Sequence, residues 1–144
     1  MDTTEFKELV DEIVLSKGMK KRRSSYYFDN EEIITVLGLQ KSSYSLSYYF
    51  NLGFVIKGLN KTQFPSYAEG NVRLRFEFQM DGKTTDIIDI KDVPRDYLID
   101  ELERNLSCYL LPIKSVQDLK LLLQEQPVLL YQTTLITKQY LEIE

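Results

Sequence analysis

The chain has 144 residues, 43% of them hydrophobic and 28% charged, with a formal net charge of −4, proportions that suit one folded domain spanning residues 1–144 rather than a disordered segment. It holds no histidine and one cysteine, Cys108, which excludes Ser-His-Asp and Cys-His nucleophiles, His-ligated zinc, imidazole acid–base chemistry and an internal disulfide. No glycine spacing matches a phosphate loop, no apolar run is long enough to cross a bilayer, and charges scattered through the first 18 residues leave no signal-peptide core, so the expectation is a cytosolic protein.

Residues 3–17 carry Phe6, Leu9, Val10 and Ile13 at helical spacing, with Thr3 or Thr4 as cap and Gly18 as the stop. Two β-rich runs follow, 20–28 and 33–41, on either side of "DNEE", then a third at 48–58. Residues 72–79 alternate, with Val72, Leu74, Phe76 and Phe78 facing one way and Arg73, Arg75 and Glu77 the other. "DGK" at 81–83 reads as a hairpin loop. A three-residue loop is preferred because it sets Arg75 opposite Asp89, whereas a two-residue loop sets Glu77 opposite Asp86.

The remainder is helical. Pro94 opens one helix with Leu98, Leu102, Leu106 and Tyr109. Ser115 and Asp118 box the start of a second, and Pro127 begins a third with Leu130, Thr134, Thr137 and Leu141 on one side. The fold class is therefore α+β: an antiparallel sheet of about five strands with an N-terminal helix and C-terminal helices packed against it.

The stretches "KGMKKR" at 17–22, "LQKSSYSLSYYFNLGF" at 39–54, "VRLRF" at 72–76 and "LLPIKSVQDLKLLL" at 110–123 resemble a bacterial family of domains of unknown function, DUF4304. The resemblance implies a compact bacterial domain and no particular activity.

Within the sheet, a two- or four-residue turn at 29–32 sets Phe28 opposite Ile33, and matching apolar to apolar side chains sets Leu37 opposite Phe54, which puts Gly38 beside Gly53. One face then carries Ile34, Val36 and Val55 at one end. At the other it carries Lys21, Arg23, Gln40, Tyr49 and Asn51, joined by Arg73 and Arg75 from the alternating strand. Arginine forks and amides suit a small anionic ligand or a carboxylate-rich protein surface. The competing reading is a wetted sheet face.

Other groups carry less. Asp86, Asp89 and Asp92 do not converge on a strand, so no metal site is expected. Cys108 reads as a small buried side chain. The tyrosine-rich "SSYSLSYYF" reads as core and rim. The middle of the chain, residues 19–80, is net basic between acidic flanks, but Asp29, Glu31 and Glu32 offset the "KKRR" cations, which weighs against nucleic acid. The expectation is a non-enzymatic protein-interaction module without cofactor or metal. Toxin-neutralising (immunity-type) proteins are one class with this profile, and a small-anion or nucleotide-binding module is the alternative.

Overall fold

A twisted antiparallel sheet with helices on one face organises the computed structural model, which describes residues 1–143. Helix α1 (Thr3–Ser16) is capped by Asp2, whose carboxylate accepts from the Glu5 N–H at 2.8 Å. It buries Phe6, Leu9, Val10, Ile13 and Val14. Asp2 takes the capping role expected of the threonines because it is the residue left with extended backbone.

The basic run is not one strand. Strands β1 (Lys20–Arg22) and β2 (Ser25–Asp29) are separated by a turn at Arg23–Ser24, with Arg23 at φ 57°, a left-handed backbone uncommon for a non-glycine residue. β3 (Ile33–Lys41) and β4 (Ser47–Ile56) complete the central ladder in the order β1-β2-β3-β4. Both central registers differ from expectation by two residues. Tyr26 lies opposite Leu37, and Leu37 opposite Leu52. The first difference comes from the turn, which is Glu31–Glu32 closed by the Asn30 N–H on the Ile33 carbonyl at 2.9 Å. Gly38 consequently faces Asn51, and Gly53 faces Val36.

The far edge of β4 is shared. Its second half pairs with β5 (Val72–Arg75) and its first half with β8 (Ile87–Asp89). Between them the chain leaves the sheet as a separate hairpin of β6 (Phe78–Met80) and β7 (Lys83–Thr85), so the expected continuous strand 72–79 is broken at Phe76–Glu77. The hairpin uses the two-residue turn Asp81–Gly82, both at positive φ, the geometry whose twist matches antiparallel strands. The Glu77–Asp86 repulsion that argued against this turn never arises, because the ladder ends at Phe78 opposite Thr85.

Helix α2 (Arg95–Tyr109) follows and buries Leu98, Leu102 and Leu106. Cys108 lies on its solvent side and is exposed, correcting the expected burial: the helix turns its Leu102–Leu106 stripe inward and Ser107–Cys108 outward. Helix α3 (Val116–Glu125) has the expected Ser115–Asp118 capping box. The single helix expected after Pro127 is instead a 3₁₀ turn, Pro127–Gln132, then α4 (Leu135–Tyr140). Thr133 and Thr134 divide them: the Thr133 backbone bridges to Val72 far along the chain, and the Thr134 hydroxyl accepts from the Thr137 N–H, a local bond of the kind with which threonine competes against helix.

The core fills the helix side of the sheet. Phe6 stacks on Tyr48 at 4.9 Å, and Phe50 touches Phe6, Phe76 and Phe78. Among the described residues, the opposite face has only a small buried apolar patch of Ile34, Val36 and Val55, with Tyr27 and Tyr67 packed on it. Tyr67, in a 3₁₀ turn (Tyr67–Glu69) within the β4–β5 connection, lies over both Gly38 and Gly53. The backbone left bare at the two glycines is thus covered by the chain's own tyrosine, since only glycine leaves room for it.

Candidate functional site

Strand pairing decides which side chains share the second face. Gln40 pairs with Tyr49 and Tyr49 with Ile87; Gly38 pairs with Asn51 and Asn51 with Arg75; Gly53 pairs with Arg73. Directly paired residues lie on one face, so five of the seven sequence-selected residues, Gln40, Tyr49, Asn51, Arg73 and Arg75, come together. Lys21 and Arg23 do not. The hairpin at Arg23–Ser24 places Lys21 opposite Tyr26 on the helix side, where its ammonium meets Asp11 at 2.9 Å. Arg23 sits exposed in the turn itself.

Arg75 is fixed at each nitrogen. Its Nε donates to Asn51 Oδ1 at 2.9 Å, Nη2 to Gln40 Oε1 at 3.2 Å and Nη1 to Asp86 Oδ2 at 3.3 Å. The guanidinium carbon lies 4.0 Å from the Tyr49 ring centroid, a cation–π arrangement. Asn51 Nδ2 also donates to Gln40 Oε1 at 2.9 Å, which orients both amides. The acidic partner is Asp86, not Asp89, because β8 returns along the other half of β4 and pairs Asp89 with Ser47. Three of the five guanidinium N–H groups are engaged, which leaves two for a ligand.

Beside this platform opens a cleft of about 540 Å³ bordered by Gln40, Asn51, Tyr67, Arg73, Arg75 and Gln132, within the usual range for ligand sites. Arg73 is exposed and has no ion-pair partner among the described residues. The cleft therefore has one charge held and largely balanced by Asp86, and a second charge free. Such a pair can grip a carboxylate or phosphate oxygen. Among the described residues no cluster of three carboxylates, cysteines or histidines stands ready for a metal.

Sequence reasoning missed Tyr67, Asp86 and Gln132. Each enters from a connection or a turn, and neither alternation nor helical spacing carries a signal for such positions. It also missed Lys20 and Arg22, which the hairpin turns onto the second face, opposite Tyr27 and Ser25.

A family model for DUF4304, described as a domain of unknown function, matches residues 10–115. The chain belongs to that family. No curated protein and no solved structure matches it. In this DUF4304 chain the matched span holds the Arg75 platform, Arg73 and Tyr67, while Gln132 lies beyond it. No helix of the described residues is long and apolar enough to cross a membrane.

Proposed function

We propose that this DUF4304 protein is a non-catalytic interaction module that takes carboxylates of an acidic segment of a partner protein at the Arg73–Arg75 cleft. The carrying observation is the free Arg73 beside a guanidinium already oriented by Tyr49, Asn51 and Gln40. An oriented fork loses little freedom on binding, and planar two-pronged recognition of carboxylate is what arginine does best. The missing histidines support a role without chemistry. Exposed apolar side chains at Val128, Tyr131, Leu135 and Ile136 are also what a protein-binding surface presents. A cytosolic, bacterial setting completes the reading: a single exposed thiol suits a reducing compartment, and the family resemblance supplies the bacterial part.

A second reading, a free small anion as the ligand, is favoured by the concavity of the same cleft. A fluorescent ten-residue oligoglutamate titrated by anisotropy, beside free glutamate and inorganic phosphate, separates the two. The peptide is expected to bind in a salt-dependent way, with Arg73→Glu weakening it by at least about ten-fold and the free anions binding far more weakly. Free anions that bind as tightly as the peptide would favour the second reading, and a peptide indifferent to Arg73→Glu would refute the first.

A further inference from the structure

On the other side of Tyr67 the second face carries a different cationic cluster, and its electrostatics are unlike those of Arg75. The Arg22 guanidinium carbon lies 3.7 Å from the Phe64 ring centroid, and Phe64 meets Tyr27 edge-on at 5.7 Å. Stacking orients a guanidinium while leaving its N–H donors unspent. Arg22 makes no side-chain hydrogen bond or ion pair among the described residues, and Lys20 and Arg23 have no acidic partner within 4.0 Å. All three are exposed.

Two hollows flank this stack and share Arg22, Tyr27 and Phe64. The smaller, about 330 Å³, adds Arg23 and the hydroxyl residues Ser24, Ser25 and Ser66. No carboxylate lines it, the nearby Glu69 carboxylate accepting from the Ser66 backbone N–H at 2.8 Å, and guanidinium and hydroxyl side chains together fit an oxyanion head group. The larger, about 560 Å³, adds Phe28 and Ile34 with Lys20 and the Asp11-paired Lys21 at its edge, an apolar bed with one unpaired ammonium at its rim. Asp29 also borders it, but its carboxylate is engaged by Lys57 at 2.6 Å, so the local field stays positive. A site of this form suits a ligand with an anionic head and a flat aromatic body.

We propose that the hollows flanking the Arg22–Phe64 stack form one binding site for an aromatic anion of the nucleoside phosphate type, separate from the Arg73–Arg75 cleft. The phosphate lies against Arg22, Arg23 and the three serines, and the ring lies against Tyr27, Ile34 and Phe64. Guanidinium planes and aromatic side chains both stack on bases.

Calorimetric titration with adenosine monophosphate tests this, with adenosine and inorganic phosphate as separate controls. Adenosine monophosphate is expected to bind at least about ten-fold more tightly than either half, a difference of about 1.4 kcal/mol. Arg22→Gln and Phe64→Leu should each lower its affinity by about ten-fold, and Arg75→Gln should leave it unchanged. Both Arg22 and Phe64 are exposed, so circular dichroism should report intact folding in these variants. The proposal is overturned if millimolar adenosine monophosphate gives no saturable heat, if phosphate alone binds as well, or if Arg22→Gln and the unaltered protein bind alike.

Discussion

Tyr26, buried on the helix side of β2, donates its hydroxyl to Asp11 of α1, and Lys21 donates to the same carboxylate at 2.9 Å. Burial penalises the Asp11 charge, but the hydrogen bonds from Tyr26 and Lys21 outweigh it and hold this carboxyl below the usual range. Burial, reinforced by Asp11, pushes the Tyr26 phenol above its usual range. The signs are opposite. Stability from Asp11 is present above about pH 4 and lost as pH falls through its depressed folded value; stability from Tyr26 is present below about pH 10 and lost above it. Melting temperature followed from pH 3 to 11 should show both limbs, with Asp11→Asn flattening the acid one and Tyr26→Phe the alkaline one. Each substitution should cost about 1 kcal/mol at neutral pH.

A side chain at Gly53 meets backbone. A β-carbon built there falls well inside contact distance of the Tyr67 carbonyl oxygen and 3.0 Å from the Tyr67 Cα. At Gly38 the obstacle is the Tyr67 ring, which can swing aside. Gly53→Ala should therefore cost about 2–3 kcal/mol and Gly38→Ala less, about 1 kcal/mol. Urea denaturation of both, and of Gly38→Ala combined with Tyr67→Ala, checks this. The combined variant should lose less than the sum of the single ones.

Around Arg75, the contributions differ by burial. Asn51 is 6% exposed and bonds the guanidinium directly, whereas Asp86 contributes a pair at 3.3 Å with both side chains more than 40% exposed. Asn51→Ala should lower stability by about 1–2 kcal/mol. Asp86→Asn should change it by no more than about 0.5 kcal/mol, yet it should strengthen oligoglutamate binding by unmasking the guanidinium. Equal stability losses in the two variants would contradict this division.

The β6–β7 excursion is tied down by helix α2. Asn105, fully buried, accepts from the Glu77 N–H at 3.2 Å and donates to the Glu77 carbonyl at 3.0 Å. Glu101 accepts from the Gln79 N–H at 2.6 Å and from Arg104 Nε at 2.9 Å. These contacts satisfy backbone groups stranded where the long strand breaks. Asn105→Ala should cost about 2–3 kcal/mol, and amide exchange should quicken first at Glu77 and Gln79. The Arg104 hydrogen bond holds Glu101 below the usual carboxyl range against the cost of burial. Its contribution, present above about pH 4.5, should fade as pH drops through the depressed folded value.

Much of the second face was legible because alternation survives a slip of two residues. Both central registers differed from expectation by two residues, and a two-residue slip keeps each side chain on its face. Hence Gln40, Tyr49, Asn51, Arg73 and Arg75 still converge, although Gly38 and Gly53 are not opposite one another. Lys21 was misplaced for the complementary reason. A turn inside "KKRRSS" flips parity, and neither arginine nor serine announces positive φ as glycine or asparagine would. The break at Phe76–Glu77 was invisible because it depends on Asn105 and Glu101, far along the chain.

Because β5 and β8 lie end to end along β4, the hairpin between them hangs outside the main ladder, and a β-carbon built at its Gly82 tip would meet nothing within 4 Å beyond the adjoining residues. Extra residues at Asp81–Gly82 would lengthen a solvent-facing loop without re-registering any central strand. That makes the tip a practical attachment point for a fluorophore or affinity tag, on a segment that borders neither arginine hollow.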